Sequence, residues 1–258
     1  MGAKRLFNSL LAGTHYRLVN KDDYDRIFAC KDAGVSAADG VGRSVVDDLQ
    51  KIVGPNPGVI FDVGANKGAT YRMFRSIFPN APLYAFEPDP RAFAMLKSKA
   101  EGDAEAHLYP IAISDQIGEV EFNLMDASEL NSLLPPTQAA ESAGSMATLE
   151  KIKVASDTLD SFTAREGISR IDLLKMDIQG AEIRALEGAR SLLARSAIGC
   201  LYLELSFYET YQGAPLATDV IAYLNARSYR LACLYNLQYA EGSPVLLYCD
   251  GLFVPHSG

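Results

Sequence analysis

The chain has 258 residues, 48% of them hydrophobic and 22% charged, which allows one large globular domain with an appendage. Its formal net charge of −8 argues against a long polyanionic partner such as nucleic acid, whose binders carry basic patches. No apolar run approaches the roughly 18 residues that a membrane-crossing helix needs.

Residues 1–20 contain Lys4 and Arg5, but Asn8 and Ser9 break the apolar stretch that follows, so no signal peptide is expected. Cys30, Cys200, Cys233 and Cys249 are scattered without a C-x-x-C pair and read as free thiols of a cytoplasmic protein. Residues 1–50 mix charged and apolar positions at helical spacing, as at Tyr24, Ile27 and Phe28, and are expected to form a helical extension or lid. Gly54 to Gly58, with Pro55 and Pro57, separates it from a main domain over residues 51–258.

Beyond this breaker, strands and helices alternate. A strand over 58–64 precedes a helix over 68–78, and a strand over 82–87 precedes a helix over 90–100. A strand over 105–113 leads to a β pair at 118–125 and 151–156. Between them, residues 126–150 form a long polar loop, a feature that is usually functional. A strand over 171–177 then runs through Gly180 into a helix ending near 195, followed by a strand over 198–205 and a helix near 215–227. Strands 229–235 and 245–254 close the chain. This alternation predicts a mostly parallel sheet with helices on both faces, the terminal pair supplying one antiparallel edge strand.

Ligands of such sheets lie beyond the carboxyl ends of the strands. The polar residues there are Asp62, Glu87, Asp115, Asp177 and Glu204. Gly64 and Gly68 permit close backbone approach, and Glu87, ending the second strand, is placed to accept from two ribose hydroxyls. The ribose could belong to a dinucleotide or to S-adenosylmethionine. Asn66 stands where a dinucleotide fingerprint has glycine, and Asp62 would repel a pyrophosphate but suit a methionine ammonium. S-adenosylmethionine is therefore the expected cofactor. The proposed binding set is Asp62, Gly64, Asn66, Gly68, Thr70, Glu87, Pro88, Ser114 and Asp115.

Lys175 and Asp177 share one side of a strand, either as a structural ion pair or as a reacting carboxylate tuned by a lysine. Glu182 suits the first turn of a helix. Asp177 and Glu204 are the candidates for a shared divalent cation, although two carboxylates make a weak metal signal. Of the three histidines, His107 lies far from the ligand end of its strand and His256 is near the C-terminus. His15 could reach the crevice if the N-terminal segment covers it.

The Phe61-Asp62-Val63-Gly64-Ala65-Asn66 block, Phe86-Glu87-Pro88-Asp89-Pro90, and Lys175-x-Asp177-x-x-Gly180-x-Glu182 together resemble the motifs of FkbM-type methyltransferases. The resemblance spans about residues 55–255 and includes Glu204 and Asp250. It implies a Rossmann-like class I methyltransferase fold with a seven-stranded sheet, and S-adenosylmethionine-dependent O-methylation of a sugar, glycan or polyketide hydroxyl. Gln179 departs from the glutamate common at that place in the family. With the resemblance, Asp177, Glu204 and Lys175 become the catalytic candidates, because methyl transfer needs a positioned hydroxyl whose proton is removed by a base or lost with help from a metal. The alternatives are a ribose 2′-O-methyltransferase on RNA, disfavoured by the charge, and a catalytically silent binding module. A nicotinamide oxidoreductase is disfavoured by Asn66. Tyr208 and Tyr211 read as packing residues or as stacking platforms for a sugar.

Overall fold

The computed structural model describes residues 44–142 and 146–256. The lid expected from residues 1–50, with His15, lies outside them except for residues 44–50. The main compact unit begins at Val45, and its first helix, α1 (Val45–Val53), runs across the boundary expected at residue 50.

The chain continues through β1 (Ile60–Val63), α2 (Ala69–Ile77), β2 (Leu83–Phe86), α3 (Pro90–Lys99) and β3 (Ala106–Tyr109). Two short strand segments, β4 (Ala112–Ile113) and β5 (Gly118–Met125), precede a 3-10 turn at Ser128–Leu130 and α4 (Gln138–Ser142). Then come β6 (Thr148–Asp157), α5 (Leu159–Arg165), β7 (Leu173–Met176), α6 (Glu182–Glu187), α7 (Arg190–Ala194), β8 (Leu201–Ser206), α8 (Ala217–Asn225), β9 (Tyr229–Tyr239) and β10 (Leu246–Pro255).

The main sheet has seven strands in the order β3-β2-β1-β7-β8-β10-β9. Strands β3, β2, β1, β7 and β8 are parallel, and β10 runs antiparallel to both neighbours. The antiparallel strand therefore lies one place in from the edge, which β9 forms. Residues of β1 and β7 are wholly buried, as a parallel strand covered on both faces requires. Strand alternation divides β1 between two cores. Phe61 and Val63 join Phe86, Phe162, Met176 and Leu186 on one face. Ile60 joins Leu49, Phe74, Leu83 and Leu96 on the other. Phe162 meets Phe86 and Tyr109 edge-on at 4.8 Å between ring centres. Helix α3 is started by Asp89, whose side chain accepts from the Arg91 N–H, and by Pro90 at its first position.

Two elements differ from the expectation. The strand expected over 105–113 breaks at Pro110, and the chain leaves the main sheet for a second one of order β4-β6-β5. The helix expected to run from Gly180 to 195 is two short helices divided at Gly188. There the backbone packs so closely that a Cβ on Gly188 would lie 2.1 Å from the carbonyl oxygen of Ser114. The atom it would meet is main chain, so the clash does not relax cheaply. Gly188→Ala is expected to lower unfolding free energy by about 2 kcal/mol, read as a lower denaturant midpoint with an unchanged slope. An unchanged midpoint would contradict the close approach.

Candidate active site

The turn after β1 is built on left-handed backbone. Gly64 has φ +75° and Asn66 has φ +46°. A Cβ on Gly64 would stand 2.0 Å from the Asp177 carbonyl oxygen, so this turn presses against the end of β7 and requires glycine. Glu87 follows β2. One of its carboxylate oxygens accepts from the Asn66 N–H at 2.7 Å and the other from the Asp89 N–H at 2.8 Å. The side chain of Glu87 thereby joins the β1 turn to the β2 end. Burial pushes its carboxyl up to about 7, against the pull of the two N–H donors.

These groups border a cavity of about 190 Å³. Gly64, Asn66, Thr70, Glu87 and Pro88 line it. Lys175, Asp177 and Gln179 form its β7 side. Ile113, Phe122 and Leu133 supply an apolar wall that the sequence reading did not assign to the site. Ser128, Glu129 and Asn131 also line it, so the polar 126–150 segment contributes walls. Asn131 is anchored by donating to Asp89 at 2.8 Å.

Four expected cofactor contacts, Asp62, Gly68, Ser114 and Asp115, are not on this wall. Asp62 is wholly buried, one strand position beneath the turn, and pairs with Lys175 at 3.1 Å. The two residues are direct register neighbours on β1 and β7. Asp62 therefore serves the floor of the site instead of facing a ligand ammonium, and the partner of Lys175 is Asp62 instead of Asp177. Burial disfavours the ammonium form of Lys175, but Asp62, Asp177 and Glu204 outweigh this and raise its pKa above the usual lysine range. Burial likewise raises the Asp62 carboxyl, partly offset by Lys175.

Ser114 and Asp115 are also carried away, because the break at Pro110 diverts them to the second sheet. Ser114 is buried against Ser156, their hydroxyls 3.0 Å apart, and Asp115 pairs with Arg184 at 3.2 Å. Gly68 caps α2 with φ +79° and faces Leu96 of α3, so its part is helix packing and not ligand contact.

A second lobe of about 270 Å³ shares Thr70, Lys175 and Asp177 with the first and is closed by Tyr202, Glu204, Asn236 and Asp250. Tyr202 and Asn236 both donate to Asp250 at 2.6 Å. Burial, reinforced by Asp177, Glu182 and Asp250, raises the Glu204 carboxyl well above its ordinary range. Glu182 is structural. It accepts from the N–H groups of Ile178 at 3.2 Å and Gly180 at 3.4 Å, and burial pushes it up to about 7.

Asp177 and Glu204 do converge, but through Gln179. Its side-chain nitrogen donates to both, at 2.8 Å each. Tyr211 is buried, and its hydroxyl bonds the Gln179 side-chain oxygen at 2.9 Å, so it is a support and not a stacking platform; Tyr208 is exposed. Among the described residues, no group of three or more His, Cys, Asp or Glu side chains is arranged to hold a metal ion, and no helix is long and apolar enough to cross a membrane.

Residues 62–231 match the family model described as the methyltransferase FkbM domain. The 2-O-methyltransferase NoeI of Sinorhizobium fredii (strain NGR234) is 33% identical over 180 residues, covering 67% of this chain and 72% of NoeI. The 31-O-demethyl-FK506 methyltransferase FkbM of Streptomyces tacrolimicus is 31% identical over 50% of this chain and 58% of that protein. Methyltransferase sdnD of Sordaria araneosa is 28% identical over 52% of this chain and 61% of its own length. The chain thus spans less than two thirds of the latter two relatives. With the parallel sheet, the glycine turn and the carboxylate ending β2 in place, the chain belongs to the FkbM methyltransferase family and is an S-adenosylmethionine-dependent methyltransferase.

Proposed function

We propose that this enzyme methylates a hydroxyl of a small-molecule or glycan acceptor, a sugar or polyketide oxygen, with S-adenosylmethionine in the first lobe and the acceptor entering from the second. The observation that carries this reading is one continuous wall on which Glu87 and Asp177 are both presented, separated by the 64–66 turn. The 2-O and 31-O positions in the names of NoeI and FkbM support oxygen as the nucleophile. The unpaired thiols of Cys200, Cys233 and Cys249 suit a cytoplasmic setting.

The donor set fits the cofactor. Glu87 would accept from the ribose hydroxyls, and Ile113, Phe122 and Leu133 would flank the adenine. When bound, S-adenosylmethionine supplies an already activated methyl group. The protein's remaining work is to align the acceptor hydroxyl and remove its proton. Asp177 borders both lobes and is the group we assign to that proton. Glu204 and Asp250 border only the second lobe and would receive acceptor hydroxyls as hydrogen-bond partners. A wall so rich in carboxylates favours a neutral acceptor over an anionic one.

Two outcomes are expected. Ribose hydroxyls donate to the ionised form of Glu87, whose carboxyl titrates near 7 in the free protein. Affinity for S-adenosylhomocysteine, measured by calorimetry, should therefore rise between about pH 6 and 8 and then level off, with proton release at the lower pH. Glu87→Gln should flatten that profile and weaken binding by about 2 kcal/mol. A pH-independent affinity in the unsubstituted enzyme would contradict the ribose assignment.

Asp177→Asn should lower methyl transfer from labelled S-adenosylmethionine to hydroxylated sugar acceptors by about 10²–10⁴-fold. Its affinity for S-adenosylhomocysteine should change little. Near-normal turnover in that variant would remove Asp177 from the proton-accepting role.

A further inference from the structure

The gap between Asp177 and Glu204 is where a bridging divalent cation would be sought, and it is already filled. The Gln179 carboxamide has two N–H donors, and each is directed at one of the two carboxylates at 2.8 Å. The opposite amide orientation would turn an acceptor oxygen toward two acceptor groups, so the geometry selects this one. The Gln179 side-chain oxygen is met by the Tyr211 hydroxyl at 2.9 Å, and that hydroxyl also lies 2.8 Å from the Leu130 carbonyl. The backbone is fixed as well. Gln179 has φ +55°, an unusual conformation for a side chain of its kind, and its carbonyl accepts from Ser132 at 2.7 Å. Ser132 from the 126–150 segment thus holds the Gln179 backbone, and Tyr211 from the chain after β8 holds its side chain.

We propose that Gln179 is the positioning residue of the transfer site, its carboxamide standing in place of a cation and holding Asp177 and Glu204 at a fixed separation. This rests on the reading of Asp177 as the acceptor-side carboxylate. A carboxamide neutralises no charge, but it satisfies one oxygen of each carboxylate and leaves the others for the acceptor. A hard cation would instead demand several oxygen ligands from the same groups. A carboxylate at position 179 would remove both donors and set three acidic side chains around one point. That arrangement is relieved by a cation or by protons.

The test is Mn²⁺ binding by the full chain, followed by the electron paramagnetic resonance of free and bound metal. Mn²⁺ alone is the probe, so the result does not depend on the acceptor. Gln179→Glu is expected to bind Mn²⁺ at least ~10-fold more tightly than the unsubstituted protein. Adding Asp177→Asn should reverse the gain. Gln179→Ala, which empties the gap without adding charge, is expected to show a smaller gain and covers the case in which the glutamate variant does not fold. A purely structural glutamine would give no gain of metal binding in either variant, and that result would overturn the proposal. So would Mn²⁺ binding to the unsubstituted protein that Asp177→Asn abolishes. Failure of the reading of Asp177 would appear separately, as near-normal methyl transfer by Asp177→Asn, a result that the Mn²⁺ titrations do not enter.

Discussion

The buried ion pair of Asp62 and Lys175 is the interaction on which the site is built. The two side chains are cross-strand neighbours of β1 and β7 on the face that also carries Tyr202 of β8. Taking two such groups out of water is costly, and only good geometry with further hydrogen bonds compensates. Lys175 supplies the further bond by donating to the Gly64 carbonyl at 2.8 Å. One ammonium thus fixes the β1–β7 pairing and the turn that leaves β1. The Asn66 N–H is then aimed at Glu87, and the Asp177 backbone lies against Gly64. Removing Lys175 alone would leave Asp62 buried without its cation, and both lobes would lose their common floor.

Above this floor the site divides by chemistry. The first lobe has an apolar wall and one carboxylate tied by two backbone N–H groups. The other side is crowded with carboxylates whose repulsion is moderated by neutral donors. Gln179 serves Asp177 and Glu204, while Tyr202 and Asn236 serve Asp250. Neutral donors order acids without fixing a net charge.

Much of the first lobe is legible in the sequence because its lining rests on local rules. Strand periodicity and the positions of Gly64 and Glu87 locate the ends of β1 and β2, and residues at parallel strand ends face the crevice. The role of Asp62 is not legible in the sequence, because alternation gives only the face of a strand. Its partner Lys175 is far away in sequence, and the pairing follows from register. Ser114 and Asp115 lie away from the expected position because 105–113 is two strands, not one. Pro110, which cannot donate to a ladder, was the visible signal for the break. The apolar wall at Phe122 and Leu133 and the Tyr211 support of Gln179 come from separate elements brought together by the tertiary fold, and no local pattern announces them.

The most direct test of the account is a crystal structure of the full chain with S-adenosylhomocysteine. The ribose hydroxyls are expected within hydrogen-bond distance of Glu87, with the adenine between Phe122 and Leu133 and the sulfur toward Asp177. A ligand seated with its ribose away from Glu87, or excluded from this cavity and bound elsewhere, would contradict the account.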